Sequence, residues 1–158
     1  EITCRDWSSD VCSSDLAILG VKRAYIVHGL DGLDEISVSA PTHIVKLDEN
    51  GSISEEIFDP AELGIPRFPL EAILGSDAEG NAALAMELAR GTGSEALKQA
   101  VLVNAAIAMV VYGAAEDIAD GYRRAREALE SGRVLEKIEA LRGNPVPSTA
   151  AAVRGVPA

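Results

Sequence analysis

The 158-residue sequence is poor in basic residues. Lys and Arg number 14 against 25 Asp and Glu, which gives a formal net charge of −11 and a pI near 4.6. A surface that binds nucleic acid needs clustered positive charge along the phosphate backbone, so this composition argues against a nucleic-acid partner. An acidic chain can still bind phosphorylated metabolites where Mg²⁺ supplies the positive charge.

Uninterrupted apolar runs of membrane-spanning length are also missing. The most apolar stretch, residues 100–115 (AVLVNAAIAMVVYGAA), is shorter than the roughly 20 residues that span a bilayer, and it contains Asn104 and Gly113. A helix that is apolar on every side is typical of a protein core or a subunit interface. We therefore predict a packed helix here and no membrane partner.

Cysteine is absent after residue 16, and both cysteines, Cys4 and Cys12, lie in residues 1–16 together with the single tryptophan. This segment has neither hydrophobic periodicity nor the apolar region of a signal peptide. Residues 5–16 (RDWSSDVCSSDL) look like the in-frame translation of a sequencing-library adapter. We expect residues 1–16 to be an artefactual, disordered leader and the natural N-terminus to be missing. A genuine Ser-rich leader is the alternative.

Strand patterns come first in the remaining chain. Residues 23–28 (RAYIVH) have the composition of a buried strand, and residues 36–39 alternate as a second short strand. Residues 43–47 and 52–58 predict a hairpin, because the Asn-Gly pair in the turn at residues 48–51 tolerates the positive φ of tight turns. After residue 58 the apolar period changes from two to 3.6, so the sequence predicts strands followed by helices.

Capping residues mark the starts of the predicted helices. Asp59-Pro60 begins a brief turn that stops at Gly64. Asp77, Ser94 and Asp117 each precede a helix, and a last helix covers residues 133–142. The first helix, residues 78–90, has an apolar face of Ala82, Leu84, Ala85 and Leu88. We expect one α/β domain at residues 17–142 and a disordered tail, rich in Pro, Ala and Gly, at residues 143–158.

The segment HGLDGLDE, residues 28–35, follows the first predicted strand, where α/β proteins place ligand sites. Adjacent carboxylates in a strand point to opposite faces, whereas Asp34 and Glu35 in a Gly-containing turn can converge on one ion. Mg²⁺ prefers one or two carboxylates together with phosphate oxygens and water. The residues alone leave two interpretations open, a magnesium site or the commoner solvated surface turn.

Two other features have structural explanations. Residues 91–94 (GTGS) resemble part of a phosphate-binding loop, but they follow a helix and lack a Lys and the remaining glycines. A glycine that ends one helix and a serine that caps the next explain them. His28 and His43 lie in predicted strands without a visible activating partner, so we expect structural or exposed roles for both.

The string AYIVHGLDGLDEISVSAPT, residues 24–42, resembles the segment that follows the central catalytic region of anthranilate phosphoribosyltransferases. The resemblance covers about residues 17–142. It continues in order through DPAELGIP (59–66), GSDAEGNA (75–82), VLVNAAIAM (101–109) and GYRRAREALESGRVLEKIEAL (121–141). Two positions depart from the family, which usually has Glu where Gly80 stands and Gly where Ser76 stands.

The resemblance implies a fold, a reaction and a site. The fold is a partial phosphoribosyltransferase-type α/β domain, with a hairpin followed by three or four packed helices. The implied reaction transfers the phosphoribosyl group from phosphoribosyl pyrophosphate to anthranilate in tryptophan biosynthesis, in a cytoplasmic homodimer. In the family the acidic pair of the DGLDE turn binds a Mg²⁺ ion that engages the pyrophosphate, and Asp34 and Glu35 are the matching positions. The family's glycine-rich phosphate loop lies upstream, so we expect this chain alone to be inactive.

Two alternatives remain open at the level of the sequence. One is a related enzyme, nucleoside phosphorylase-like or a paralogous phosphoribosyltransferase, because the residues that contact the acceptor lie upstream in the family. The other is a non-catalytic assembly module that uses the apolar helix at residues 100–112 as an interface.

Overall fold

A computed structural model describes Leu16 and residues 18–143. The predicted leader and tail therefore lie outside the described residues, apart from Leu16 and Gly143. The predicted order of strands followed by helices is confirmed in the described part. Its elements are β1 (Ala24–Gly29), β2 (Thr42–Leu47), β3 (Ile53–Phe58), two 3-10 turns (Pro60–Leu63 and Leu70–Ile73), α1 (Ala78–Ala89), α2 (Glu95–Tyr112), α3 (Ile118–Glu130) and α4 (Arg133–Gly143).

The three strands form one antiparallel sheet in the order β1-β2-β3. The central strand β2 is the buried one, with Ile44, Val45 and Leu47 almost completely inaccessible. Strand β1 lies at an edge and is only half-buried, and its His28 is exposed. The prediction of a strand at residues 23–28 is confirmed, but its burial was overestimated, because among the described residues the strand has a neighbour on one side only.

The predicted hairpin is confirmed, with Thr42 paired to Phe58 and Leu47 paired to Ile53. The connection between the paired ends is five residues long. Asp48 holds it, because Asp48 Oδ1 accepts hydrogen bonds from the N–H groups of Asn50 at 2.8 Å and Ser52 at 2.9 Å. Gly51 supplies the left-handed conformation, with φ of 78°.

The prediction of a strand at residues 36–39 is wrong. The segment is irregular, although Ile36, Ser37 and Val38 are almost completely buried. The alternation does not follow burial, because the polar Ser37 is as buried as its apolar neighbours. The backbone groups are satisfied without a neighbouring strand. Side chains of Thr42 and Asn104 bind the backbone of Ser37 and Ile36, and the Phe68 N–H donates to Val38 O. Such pairing removes the cost of burying unsatisfied peptide groups.

All of the predicted helix and turn caps are confirmed. The side chains of Asp59, Asp77, Ser94 and Asp117 each accept a hydrogen bond from a backbone N–H two or three residues ahead. The predicted apolar face of α1 is only partly right. Leu88 is buried, but Ala82 and Ala85 are exposed and Leu84 is half-buried, while Met86 and Ala89 are buried instead. The helix is therefore buried chiefly near its C-terminal end.

Helices α2 and α3 form the main helix pair of the core. They approach closely at Gly121, where an added Cβ would lie 2.6 Å from Ala106 O. By length and composition α2 could cross a membrane, and 33% of its most apolar window is buried in the described structure. Its Gln99 and Asn104 side chains are hydrogen-bonded within the fold. These contacts support the prediction of a packed helix.

Candidate functional site

The candidate site is the turn that joins β1 to the buried segment at residues 36–38. Three backbone hydrogen bonds shape it: Gly29 N–H to Leu33 O at 2.8 Å, Gly32 N–H to Gly29 O at 2.8 Å, and Leu30 N–H to Pro41 O at 2.9 Å. Gly32 has φ of 93°, which favours glycine. At Gly29 an added Cβ would lie 2.5 Å from a carboxylate oxygen of Asp31, so a side chain there would displace that carboxylate.

Asp31 fastens the turn to the buried segment. Its Oδ2 accepts a hydrogen bond from Ser37 Oγ at 2.6 Å, and its Oδ1 accepts one from Leu33 N–H at 3.3 Å. Ser37 is fully buried, and its Oγ also accepts hydrogen bonds from the N–H groups of Ser39 at 2.9 Å and Ala40 at 3.1 Å. Sequence reasoning missed this role, although an Asp that binds an N–H two residues ahead is a common turn signal.

Asn104 binds the turn from the side of helix α2. Its Oδ1 accepts from Ile36 N–H at 2.9 Å, and its Nδ2 donates to Ile36 O at 3.0 Å and to Ala100 O at 2.9 Å. Sequence reasoning noted Asn104 only as a polar residue in an apolar helix. A polar side chain on an apolar helix needs hydrogen-bond partners. This requirement could have predicted that Asn104 binds polar groups of another segment.

Asp34 and Glu35, the predicted metal ligands, are both exposed in this turn. Neither carboxylate takes part in an ion pair among the described residues. The donor set fits Mg²⁺, which takes one or two carboxylates and completes its shell with water and phosphate oxygens. Residues 18–143 contain no group of three or more His, Cys, Asp or Glu side chains arranged to hold a metal. The role of the pair in metal binding stays a prediction.

The structure explains residues 91–94 as a helix end followed by a cap, and it shows where the two histidines lie. Gly91 has φ of 77° after α1, and Ser94 Oγ accepts from Leu97 N–H at the start of α2, as expected for a helix end followed by a cap. His28 is exposed. His43 does have a carboxylate partner, since its Nε2 lies 2.7 Å from Glu55 Oε2 on the neighbouring strand. The sequence analysis missed this pair, which forms through the hairpin register.

The pKa values that are clearly shifted among the described residues belong to groups outside the turn. The pKa of Asp120, in the first turn of α3, lies below its ordinary value of 3.8 because Arg124 and then Arg123 donate hydrogen bonds to its carboxylate. The Arg126 pKa is raised, first by its hydrogen bond to the Tyr122 hydroxyl. Both groups belong to the ion pairs and packing of helix α3, so we assign them structural roles.

Two of the concave surfaces of the described residues bear on the site. An apolar groove of about 460 Å³ lies among the four helices, and no charged side chain of the described residues lines it, so it lacks the groups that bind a pyrophosphate. An open depression of about 610 Å³ lies between β1 and α2, beside the turn, and both Ile36 and Asn104 border it.

Comparison with known proteins confirms the resemblance. The chain is 45% identical over 126 residues to an anthranilate phosphoribosyltransferase from Myxococcus xanthus (strain DK1622), and 41% identical over 133 residues to one from Desulfatibacillum aliphaticivorans. These matches cover 80% and 84% of this chain but only 37% and 39% of the relatives. The chain thus spans less than half the length of the curated relatives it matches.

Solved structures confirm the predicted fold class. The crystal structure of anthranilate phosphoribosyltransferase from Thermus thermophilus matches with a TM-score of 0.70 and 32% identity, covering 81% of this chain and 37% of that one. The Saccharomyces cerevisiae enzyme in complex with PRPP (phosphoribosyl pyrophosphate) and Mg matches with a TM-score of 0.67 and 21% identity, covering 78% of this chain and 35% of that one. At that identity the second match shows the fold alone.

A family match spans most of the chain. Residues 8–135 match the family described as glycosyl transferase family, a/b domain. The match begins inside the predicted leader, whose extent stays a prediction. Since it covers well over half of the 158 residues, and the sheet and helices agree with the solved relative, the chain belongs to this glycosyl transferase family.

Proposed function

We propose that this chain is part of an anthranilate phosphoribosyltransferase. The intact protein would transfer the phosphoribosyl group from phosphoribosyl pyrophosphate to the amino group of anthranilate and release pyrophosphate. The observation that carries the proposal is the 45% identity to a curated relative of that name over 126 residues. The solved Thermus thermophilus relative, at 32% identity, supports it.

Asp34 and Glu35 are the residues that we propose hold Mg²⁺. A yeast relative of the same name has been solved with PRPP and Mg, which supports the ion and the donor as partners of this fold. When bound, Mg²⁺ neutralises charge that develops on the departing pyrophosphate. The chain's own contribution is to hold two exposed carboxylates on a turn fixed by Asp31 and Asn104.

The chain alone is proposed to be inactive, because the family's phosphate-binding loop lies upstream of the segment that it resembles. The homodimeric assembly and the cytoplasmic location are proposals of the same kind, drawn from the family. A purified chain that consumes anthranilate, when given phosphoribosyl pyrophosphate and Mg²⁺, would contradict the proposed inactivity.

A hybrid enzyme tests the transferase proposal. Residues 17–142 replace the matching segment of the Myxococcus xanthus relative, and anthranilate consumption is followed by its fluorescence. We expect an active hybrid that loses about 100-fold in kcat/KM in the Asp34→Asn, Glu35→Gln double variant, because several kcal/mol of charge stabilisation depend on the ion. Glu71→Gln, at another exposed acid, is the matched control and should leave the rate unchanged.

Each outcome of the hybrid bears on a different part of the proposal. A hybrid that folds but is inactive would contradict the assignment to this enzyme, and full activity in the double variant would contradict the metal role. The acceptor is tested separately, by sequencing the source DNA upstream of the codon for Ala17. An in-frame phosphate loop and anthranilate pocket would support the proposal, whereas a different pocket would favour the nucleoside phosphorylase-like alternative.

A further inference from the structure

We infer that Asn104 is a positioning residue for the Asp34–Glu35 pair. The inference rests on the magnesium role proposed above for that pair. Ile36 follows Glu35 directly, and Asn104 binds both polar groups of the Ile36 backbone, with its Oδ1 accepting at 2.9 Å and its Nδ2 donating at 3.0 Å. The amide thus acts on this residue as a neighbouring strand would.

The amide of Asn104 is itself fixed in orientation. Its Nδ2 also donates to Ala100 O, one helical turn earlier, at 2.9 Å. Both amide hydrogens and the carbonyl oxygen are therefore used, and a rotated side chain would break three hydrogen bonds. A primary amide is needed for this, because a carboxylate has no donor and an aliphatic side chain has neither donor nor acceptor.

The pair depends on two anchors. On one side Asp31 is hydrogen-bonded to the buried Ser37, and on the other Asn104 joins Ile36 to helix α2. Asp34 and Glu35 lie between them and are exposed. Only the Asn104 anchor joins the turn to the helical half of the fold among the hydrogen bonds of the described residues. Mg²⁺ demands near-ideal octahedral geometry, so the position of the carboxylates determines its affinity.

Removal of the anchor has a defined expected effect. Residues that orient metal ligands without touching the metal change metal affinity about 10- to 100-fold when they are replaced. The Asn104→Leu variant keeps the approximate size of the side chain and removes all three hydrogen bonds. Gln99→Leu is the matched control, because Gln99 is the other hydrogen-bonded amide of α2 and binds Tyr122 and Glu95, away from the turn.

The test uses Mn²⁺ as a paramagnetic probe, because it favours the same oxygen ligands as Mg²⁺. Broadening of backbone amide signals is recorded by NMR on the 158-residue chain as Mn²⁺ is added. For the wild type we expect the strongest broadening at residues 33–37. Asn104→Leu should need about 10- to 100-fold more Mn²⁺ for the same broadening, whereas Gln99→Leu should match the wild type even though both variants lose stability.

Failure of the inference and failure of the proposed function give different results. Wild-type broadening at the turn that Asn104→Leu leaves unchanged would overturn the positioning role alone. Wild-type spectra without broadening at residues 33–37 would overturn the metal role and the inference with it. Equal losses of Mn²⁺ affinity in Asn104→Leu and Gln99→Leu would assign Asn104 a purely structural role. If Asn104→Leu does not fold, Asn104→Gln replaces it: it retains the amide but displaces it by one methylene, and should weaken binding several-fold.

Discussion

The closest approach between helices in the core predicts a destabilising substitution, Gly121→Ala. An added Cβ at this position of α3 would lie 2.6 Å from Ala106 O, 3.0 Å from Ala106 Cα and 3.1 Å from Ala106 C. All three atoms belong to the backbone of α2, so no side chain can rotate to make room. One helix must move by about 0.8 Å, from 2.6 Å to the 3.4 Å of ordinary van der Waals contact.

Two opposing effects set the magnitude. Alanine is more favourable than glycine in a helix interior by about 0.8–1.0 kcal/mol. Overpacking in a well-packed core costs about 1–3 kcal/mol, and a clash with backbone atoms belongs at the upper end of that range. The clash therefore exceeds the gain in helix propensity, and we expect Gly121→Ala to lower the free energy of unfolding by about 1–2 kcal/mol.

Urea unfolding followed by circular dichroism measures this difference, and Gly80→Ala in α1 is the matched control. A Cβ at Gly80 would meet Ser76 Oγ, the end of a small side chain that can rotate away. The gain in propensity should then dominate, and the control should be as stable as the wild type or up to about 1 kcal/mol more stable. Gly121→Ala at wild-type stability or above would refute the argument, because α2 and α3 would then not constrain each other.

Two further predictions concern helix α3. Tyr122→Phe removes the hydroxyl that donates to the buried Gln99 and accepts from Arg126. It should lower the free energy of unfolding by about 1–3 kcal/mol in the same urea assay. An unchanged free energy would show that Gln99 finds another hydrogen-bond partner. Asp120→Asn tests the lowered pKa of Asp120. Because the folded pKa lies below the unfolded one, the carboxylate stabilises the fold above the unfolded pKa and loses this effect as pH falls through the folded pKa. The melting temperature of the variant should therefore be lower than that of the wild type at neutral pH, and this difference in melting temperature should disappear in acid. A difference that does not depend on pH would contradict the prediction.

Local signals in the sequence predicted the elements well. Each cap at Asp59, Asp77, Ser94 and Asp117 depends on a side chain and an N–H two or three residues apart, so neighbouring residues suffice to predict it. The hairpin is local in the same way, because Asp48 and Gly51 determine its turn.

Contacts between distant residues account for most of the errors. The segment at residues 36–39 was predicted as a strand because its pattern alternates, but Ile36 is paired to Asn104, 68 residues away. An alternating pattern does not say which distant groups satisfy the backbone of the segment. In α1 the error concerns burial itself, because periodicity predicted an apolar face at Ala82 and Ala85, and both residues are exposed in the described fold.

Ser76 and Gly80, the two positions at which the resemblance implies a departure, lie next to each other in the structure. Ser76 Oγ occupies the space where a side chain at residue 80 would begin, and Gly80 has no side chain. In sequence the two positions are four residues apart and looked unrelated. In this rotamer Ser76 Oγ and a Cβ at residue 80 would occupy the same space, so a side chain at residue 80 requires the Ser76 hydroxyl to rotate away.

The candidate site was predicted only as far as its two carboxylates. The resemblance supplied Asp34 and Glu35, whereas the side chains that hold the turn, Asp31 and Asn104, became visible in the structure. The role of Asp31 could have been predicted from neighbouring residues, because its hydrogen-bond partners are two and six residues away. The role of Asn104 could not be predicted in this way, because its hydrogen bonds to Ile36 require α2 to lie beside the turn.

Packing of α2 should therefore affect the turn as well as stability. Ala106, the residue against which Gly121 packs, lies two residues after Asn104 on the same helix. If Gly121→Ala displaces α2, it displaces the Asn104 amide that binds Ile36, and Mn²⁺ broadening at residues 33–37 should weaken together with the loss of stability. Gly80→Ala should leave the broadening unchanged. Lower stability with wild-type broadening would show that α3 moves and α2 does not, so that Asn104 holds the turn independently of the helix pair.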